Sequence, residues 1–155
     1  GREMRHSIGL LLICTLLAVP AVAAPDGAIA VIVNKANAVD NLSGKELKAA
    51  FEGYGLPGSK DSNIAIVYLK GEVENKFNLK ILGISSKKVK VYWLKRVFAG
   101  ESDLRKILKT AAEVKAFIDQ NETAIGFIPA VDLDDSVKPI SIDGKKHDDP
   151  EYKLQ

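Results

Sequence analysis

Residues 28–33 read Ala-Ile-Ala-Val-Ile-Val, an unbroken apolar run in which Ile29, Val31, Ile32 and Val33 are β-branched. Preceded by Pro25-Asp26-Gly27, the run suits a β-strand buried on both faces, which needs other elements packed on either side of its sheet. Strand and helix signals then alternate. Ser43 with Glu46 has capping-box spacing, and Leu42 with Leu47 the spacing of a hydrophobic staple, which predicts a helix over 44–52 with Leu47, Ala50 and Phe51 inward. Residues 53–62 (GYGLPGSKDS) read as a surface loop. A second strand is predicted over 64–69 (IAIVYL), then a Lys70-Gly71 turn and a helix over 72–82 with Val73, Phe77, Ile81 and Leu82 inward.

A third helix over 87–98 carries Val89, Trp93, Leu94, Val97 and Phe98 as a broad apolar stripe, with Lys87, Lys88, Lys95 and Arg96 off it. Thr110 and Glu113 make a second capping box for a helix through Gln120, and 124–128 and 137–142 read as further strands. Gly126 inside a strand signals close packing of a neighbour. The tail over 144–155 is polar and is expected to be mobile. The fold class is α/β: a central mixed sheet of about four to five strands with helices packed on it, in one domain over 24–143.

Residues 1–23 have the form of an export signal: a basic start at Met4-Arg5-His6, an apolar run from Ile8 to Val19, then Pro20 and the small-x-small pattern Ala21-Val22-Ala23. The run is too short for the ~20 residues of a spanning helix, so export to the periplasm without a lasting membrane anchor is expected. Removing this leader lowers the formal charge from +2 to +1, because Arg2, Arg5 and Glu3 leave with it. No strong field for nucleic acid remains. Cys14 and His6 leave too, so thiol chemistry, disulfides and Cys/His zinc sites are not expected, and His147 is the only histidine left. No phosphate-loop, nucleophile-elbow or zinc-protease motif occurs, so the chain reads as a non-enzyme without cofactor or metal. Asp132, Asp134 and Asp135 lack the glycine and terminal glutamate of a calcium loop.

Four segments together, 32–53 (IVNKANAVDNLSGKELKAAFEG), 64–69, 91–100 (VYWLKRVFAG) and 124–130 (AIGFIPA), resemble the short periplasmic phosphate-binding-protein-like members of the ABC transporter substrate-binding proteins. The resemblance implies a periplasmic-binding fold of the second type, in which two α/β lobes clamp an oxyanion, with phosphate as ligand and an ABC permease as partner. Only about four residues separate the expected cleavage site from the first strand, so a single lobe is expected here. In the family an arginine and a Ser/Gly/Thr-rich loop follow the second strand. Residues 68–75 here are Tyr-Leu-Lys-Gly-Glu-Val-Glu-Asn, without arginine, serine or threonine. A desolvated phosphate needs several donors, and Glu72 and Glu74 repel it.

The expectation is therefore a solute-binding-like protein that takes phosphate or a related oxyanion weakly or not at all. The alternative is a periplasmic protein–protein interaction module that uses the lobe face. The candidate ligand-binding residues are Asn34, Ser43, Lys70 and Gly71, taken to cluster at strand ends. Capping and turn formation account for Asn34, Asn37 and Ser43 without a ligand, and this is the favoured explanation of them. The lysines at 87, 88, 90 and 95 with Arg96 suit either a solvated face or an acidic partner or lipid headgroup.

Overall fold

The computed structural model describes residues 27–60 and 64–155, so the expected export signal lies outside the described residues. Strand β1 (Ile29–Val33) is followed by β2 (Asn41–Leu42), helix α1 (Gly44–Ala49), β3 (Ile66–Leu69), α2 (Glu72–Phe77), α3 (Ser86–Phe98), β4 (Arg105–Leu108), α4 (Ala111–Asp119), β5 (Ile125–Pro129), β6 (Lys138–Pro139) and β7 (Ser141–Ile142). Both α1 and α2 run on into a wider π turn, over Ala50–Tyr54 and Asn78–Leu82. The main sheet has five strands in the order β4-β3-β5-β1-β6, and β2 pairs with β7 in a separate small sheet. Strand β3 is parallel to β4 and β5, whereas β1 is antiparallel to β5 and β6. The α/β class and the mixed sheet with helices packed on it follow the sequence reading.

The local reasons are those written in the chain. All five β1 residues are buried, as a strand covered on both faces must be. Both capping boxes form: Ser43 Oγ accepts from Glu46 N at 3.1 Å, and Thr110 Oγ1 from Glu113 N at 3.1 Å. At Gly126 an added Cβ would sit 3.0 Å from the Val67 carbonyl oxygen, so the strand glycine marks the close approach expected of it. Under the sheet, Phe77 stacks on Phe127 with ring centroids 4.2 Å apart, and Phe51 and Tyr68 close round the pair.

One strand is added and two expectations are corrected. Strand β4 pairs with β3 along the sheet edge, although Arg105-Lys106-Ile107-Leu108 carries no strand signal, because it opens with two cations and Lys106 and Ile107 are exposed. In α3 only Val89 and Trp93 of the predicted stripe are buried, while Leu94, Val97 and Phe98 face out. At ~100° per residue, Val89, Trp93 and Arg96 form one narrow wedge and Phe98 lies opposite it. Residues 144–155, expected to trail off, instead pack. Tyr152 is buried and donates to the Ile29 carbonyl at 2.8 Å, and the buried Leu154 accepts from the Ile29 N–H at 2.8 Å. Strand β6 reaches only Ile32 and Val33 of β1, so the tail completes the pairing where β6 stops.

The end of α1's π turn is held by α3. Tyr92 Oη donates to the Glu52 carbonyl at 2.8 Å, Arg96 Nη1 donates to the same oxygen, and the Arg96 guanidinium lies 5.1 Å from the Trp93 ring centroid. Gly53, at φ +92°, lets the chain pass: a Cβ there would meet Trp93 Cη2 at 2.8 Å and Arg96 Nη1. Gly53→Ala is expected to cost about 2–4 kcal/mol, from left-handed backbone strain plus overpacking against a buried ring. Urea denaturation checks this, and an unchanged midpoint would contradict the packing described.

Candidate functional site

The sheet has two ends, and strand direction decides what meets at each. Ile29 pairs with Pro129 at one end, and Val33 with Ile125 at the other, where Ile125 also pairs with Ile66. Lys70 and Gly71, after β3, therefore belong to the Ile29–Pro129 end. Asn34, after the antiparallel β1, belongs to the opposite end, about 15 Å away along the strands at ~3.3 Å per residue. The four candidate residues do not form one cluster. The expectation assumed that all strand ends were carboxyl ends on one side, and the reversed β1 removes that assumption.

Asn34 is buried and engaged: its Nδ2 donates to the Ile118 carbonyl at 3.0 Å and the Asp119 carbonyl at 2.8 Å, while Oδ1 accepts from Ala36 N at 2.8 Å. Asn37 does the same work beside it, bonding Glu122 O and Val39 N. Together they fasten the β1–β2 connection to the end of α4, which is a turn-building role. Ser43 is the α1 cap, and the next residue, Gly44, donates its N–H to Asp143 Oδ1 at 2.9 Å, placing both beside the β2–β7 pair.

Lys70 and Gly71 remain. Lys70 is exposed, its N–H paired with the Leu108 carbonyl at 2.9 Å, and Gly71 caps α2 at φ +126°. Beside them a groove of about 640 Å³ runs along α2 past Glu72, Asn75, Lys76 and Lys80, and a second hollow of about 360 Å³ adjoins it between Lys76, Ile29 and Pro129. Lys76 Nζ is drawn onto the Gly27 carbonyl at 2.5 Å and Lys80 Nζ onto the Gln155 carbonyl, so both ammonium groups are already engaged by main-chain carbonyls.

Glu74, in the first turn of α2 where its charge complements the helix dipole, determines the chemistry of this turn. Its half-buried carboxylate is influenced by the Gly71 backbone N–H and attracted by Arg105 and Lys70, all of which favour ionisation. Burial outweighs these, and the Glu74 pKa is raised. The one arginine that influences it is already taken: Arg105 grips Asp103 with Nε at 3.0 Å and Nη2 at 2.8 Å, and this fork holds the Asp103 carboxyl below its ordinary value. A tethered monoanion is therefore not fully compensated here, and a free dianion would need more donors than the turn offers.

Because the folded pKa of Glu74 is raised, its ionised form works against the fold at neutral pH, and the cost disappears as pH falls through the raised pKa. Glu74→Gln is expected to be more stable than the native chain at neutral pH, with the difference shrinking towards the ordinary carboxylate range. Thermal melts of both proteins across that range check it. A difference that grows on acidification would contradict the sign.

Among the described residues no cluster of three or more His, Cys, Asp or Glu side chains is placed to hold a metal ion, and His147 lines a separate hollow with Asp40 and Asp148. No helix among the described residues is long and apolar enough to cross a membrane.

No protein-family model matches this sequence, and no curated protein matches it. Solved structures do match. An ABC-type phosphate transport receptor from Vibrio cholerae superposes with a TM-score of 0.62 at 23% identity, over 82% of this chain and 52% of that one. A protein from Clostridium perfringens solved with bound phosphate, assigned to the phosphate ABC transporter substrate-binding proteins, gives 0.61 at 24% identity, over 77% of this chain and 46% of that one. PstS from Borrelia burgdorferi gives 0.59 at 13% identity, over 76% and 48%. The chain thus spans about half the length of the structures it matches. With its five-stranded mixed sheet and packed helices, it has the fold of a single lobe of the phosphate ABC transporter substrate-binding proteins.

Proposed function

We propose that this chain is an exported, non-catalytic, solute-binding-type lobe whose anion turn is filled from within, so that it takes phosphate or a related oxyanion weakly or not at all. The fold supports the class. The observation that carries the weak binding is that Arg105, the arginine that influences Glu74, is committed to Asp103, which leaves the Glu74 carboxylate beside the Gly71 turn to repel an anion. An ABC permease as partner and a periplasmic address follow from the same reading. Calorimetric titration of the full chain with phosphate and with sulfate tests it. A dissociation constant of about 1 mM or weaker is expected. Micromolar affinity for either anion would overturn the reading.

The second reading, contact with another protein through the lobe face, draws on Leu79 in the α2 groove and Val131 just past β5, which are 51% and 74% exposed near the same sheet end. A concentration-dependent mass in sedimentation that falls when both are replaced by serine would favour it.

A further inference from the structure

We propose that the outward face of α3 docks on an anionic lipid surface. The inference concerns a face separate from the Gly71 turn and does not depend on the function proposed for that turn. Helix α3 meets the rest of the fold along one narrow wedge, with Val89 and Trp93 buried and Tyr92 and Arg96 bonded to the Glu52 carbonyl. Directly opposite, Val91, Leu94 and Phe98 fall on one line at i, i+3 and i+7 and are 45%, 50% and 82% exposed. An apolar line on the solvent side of an outer helix gains nothing for the fold and has to be accounted for by what covers it.

The charges on the same helix say what that cover is. Lys87, Lys88, Lys90 and Lys95 are all exposed, and none has an ion-pair partner among the described residues. By helical angle Lys87 continues the apolar line at its N-terminal end, Lys88 and Lys95 flank one side of it, and Lys90 flanks the other. Residues 86–98 contain no acidic side chain. A second copy of the chain would bring this cationic face onto its twin in a two-fold contact, setting like charges together. A specific protein interface needs roughly 20–30 residues a side, and one helix face about 20 Å long supplies far fewer. An anionic bilayer needs only such a face: apolar side chains enter the headgroup boundary, and lysines flex outward on their stems to meet phosphate.

The test is co-sedimentation of the full chain with vesicles of equimolar phosphatidylglycerol and phosphatidylcholine, against vesicles of phosphatidylcholine alone. Binding to the anionic vesicles, weakened by salt, is expected. Each of Lys87→Gln and Lys88→Gln is expected to weaken it roughly fivefold, and the pair Leu94→Ser with Phe98→Ser roughly tenfold or more. These side chains point away from the core, so circular dichroism and the urea midpoint should stay native and confirm that each variant folds. The proposal is overturned by absence of vesicle binding, by equal binding to neutral vesicles, or by binding that the variants leave unchanged. A dimer lost in Phe98→Ser would assign the face to a second copy. Retention on soluble polyglutamate without vesicle binding would assign it to an acidic protein, and either result rejects the lipid surface.

Discussion

Truncating the chain after Pro150 is expected to remove about 4–6 kcal/mol of stability, comparable with the whole margin of a domain this size, and to leave a protein largely unfolded at room temperature. The truncation removes two buried side chains, Tyr152 and Leu154, and uncovers the start of β1. It also deprives Ile29 of both backbone partners, since its N–H donates to the Leu154 carbonyl and its carbonyl accepts from Tyr152 Oη. No neighbouring strand can take over: the Ile29 N–H and C=O point away from β5, whose Ala130 N–H bonds Ala28 instead, and β6 stops short on the side they face. Urea denaturation of the shortened chain reads the loss. An unchanged midpoint would mean that the last residues are as loosely held as their composition suggests. Tyr152→Phe isolates the hydroxyl and should cost only about 1 kcal/mol.

Phe127→Ala carries the second large effect, about 3–5 kcal/mol. Phe127 is fully buried, stacked on Phe77 at 4.2 Å, edge-on to Tyr68 at 5.4 Å and 6.0 Å from Phe51. These rings come from β5, α2, β3 and the π turn after α1, so one truncation loosens four elements and leaves a cavity that close-packed neighbours fill only in part. The same measurement applies, with Phe127→Leu as a control that keeps most of the volume and should cost clearly less. Equal effects of the two would place the ring outside the packed cluster.

Much of this architecture could be read along the chain because its causes are local. Ser43 with Glu46 and Thr110 with Glu113 carry their helix starts in four residues each, and the run at 28–33 carries its own two-sided burial. Gly126 announced its neighbour through the side chain it lacks. What could not be read depends on pairing between distant segments. Strand β4 exists because β3 offers it an edge, and its exposed Lys106 then helps keep that edge from recruiting further strands. The tail holds a faint period-two signal, Tyr152 and Leu154 on either side of Lys153, yet only the unpaired start of β1 gives it value. Helix α3 has enough apolar residues for one wide face or for two narrow ones, and composition cannot choose between them.

The candidate site divided for the same reason. Lys70 and Gly71 were legible as a strand-to-helix turn, but whether Asn34 joins them depends on the direction of β1, which only the sheet pairing fixes. Glu72 and Glu74 were recognisable as hostile to a dianion. That Asp103 occupies the Arg105 fork, and so leaves Glu74 without a committed cation, is a contact no spacing rule encodes.

The proposed function rests on the Glu74 carboxylate standing beside the Gly71 amide, where an anion would have to bind. Amide NMR of the isotope-labelled chain, titrated with acid and separately with phosphate, measures it most directly. The Gly71 resonance should shift in a single step with a midpoint above that of an ordinary glutamate, lose that step in Glu74→Gln, and stay still as phosphate is added. A Gly71 resonance indifferent to acid that moves and saturates with micromolar phosphate would contradict it.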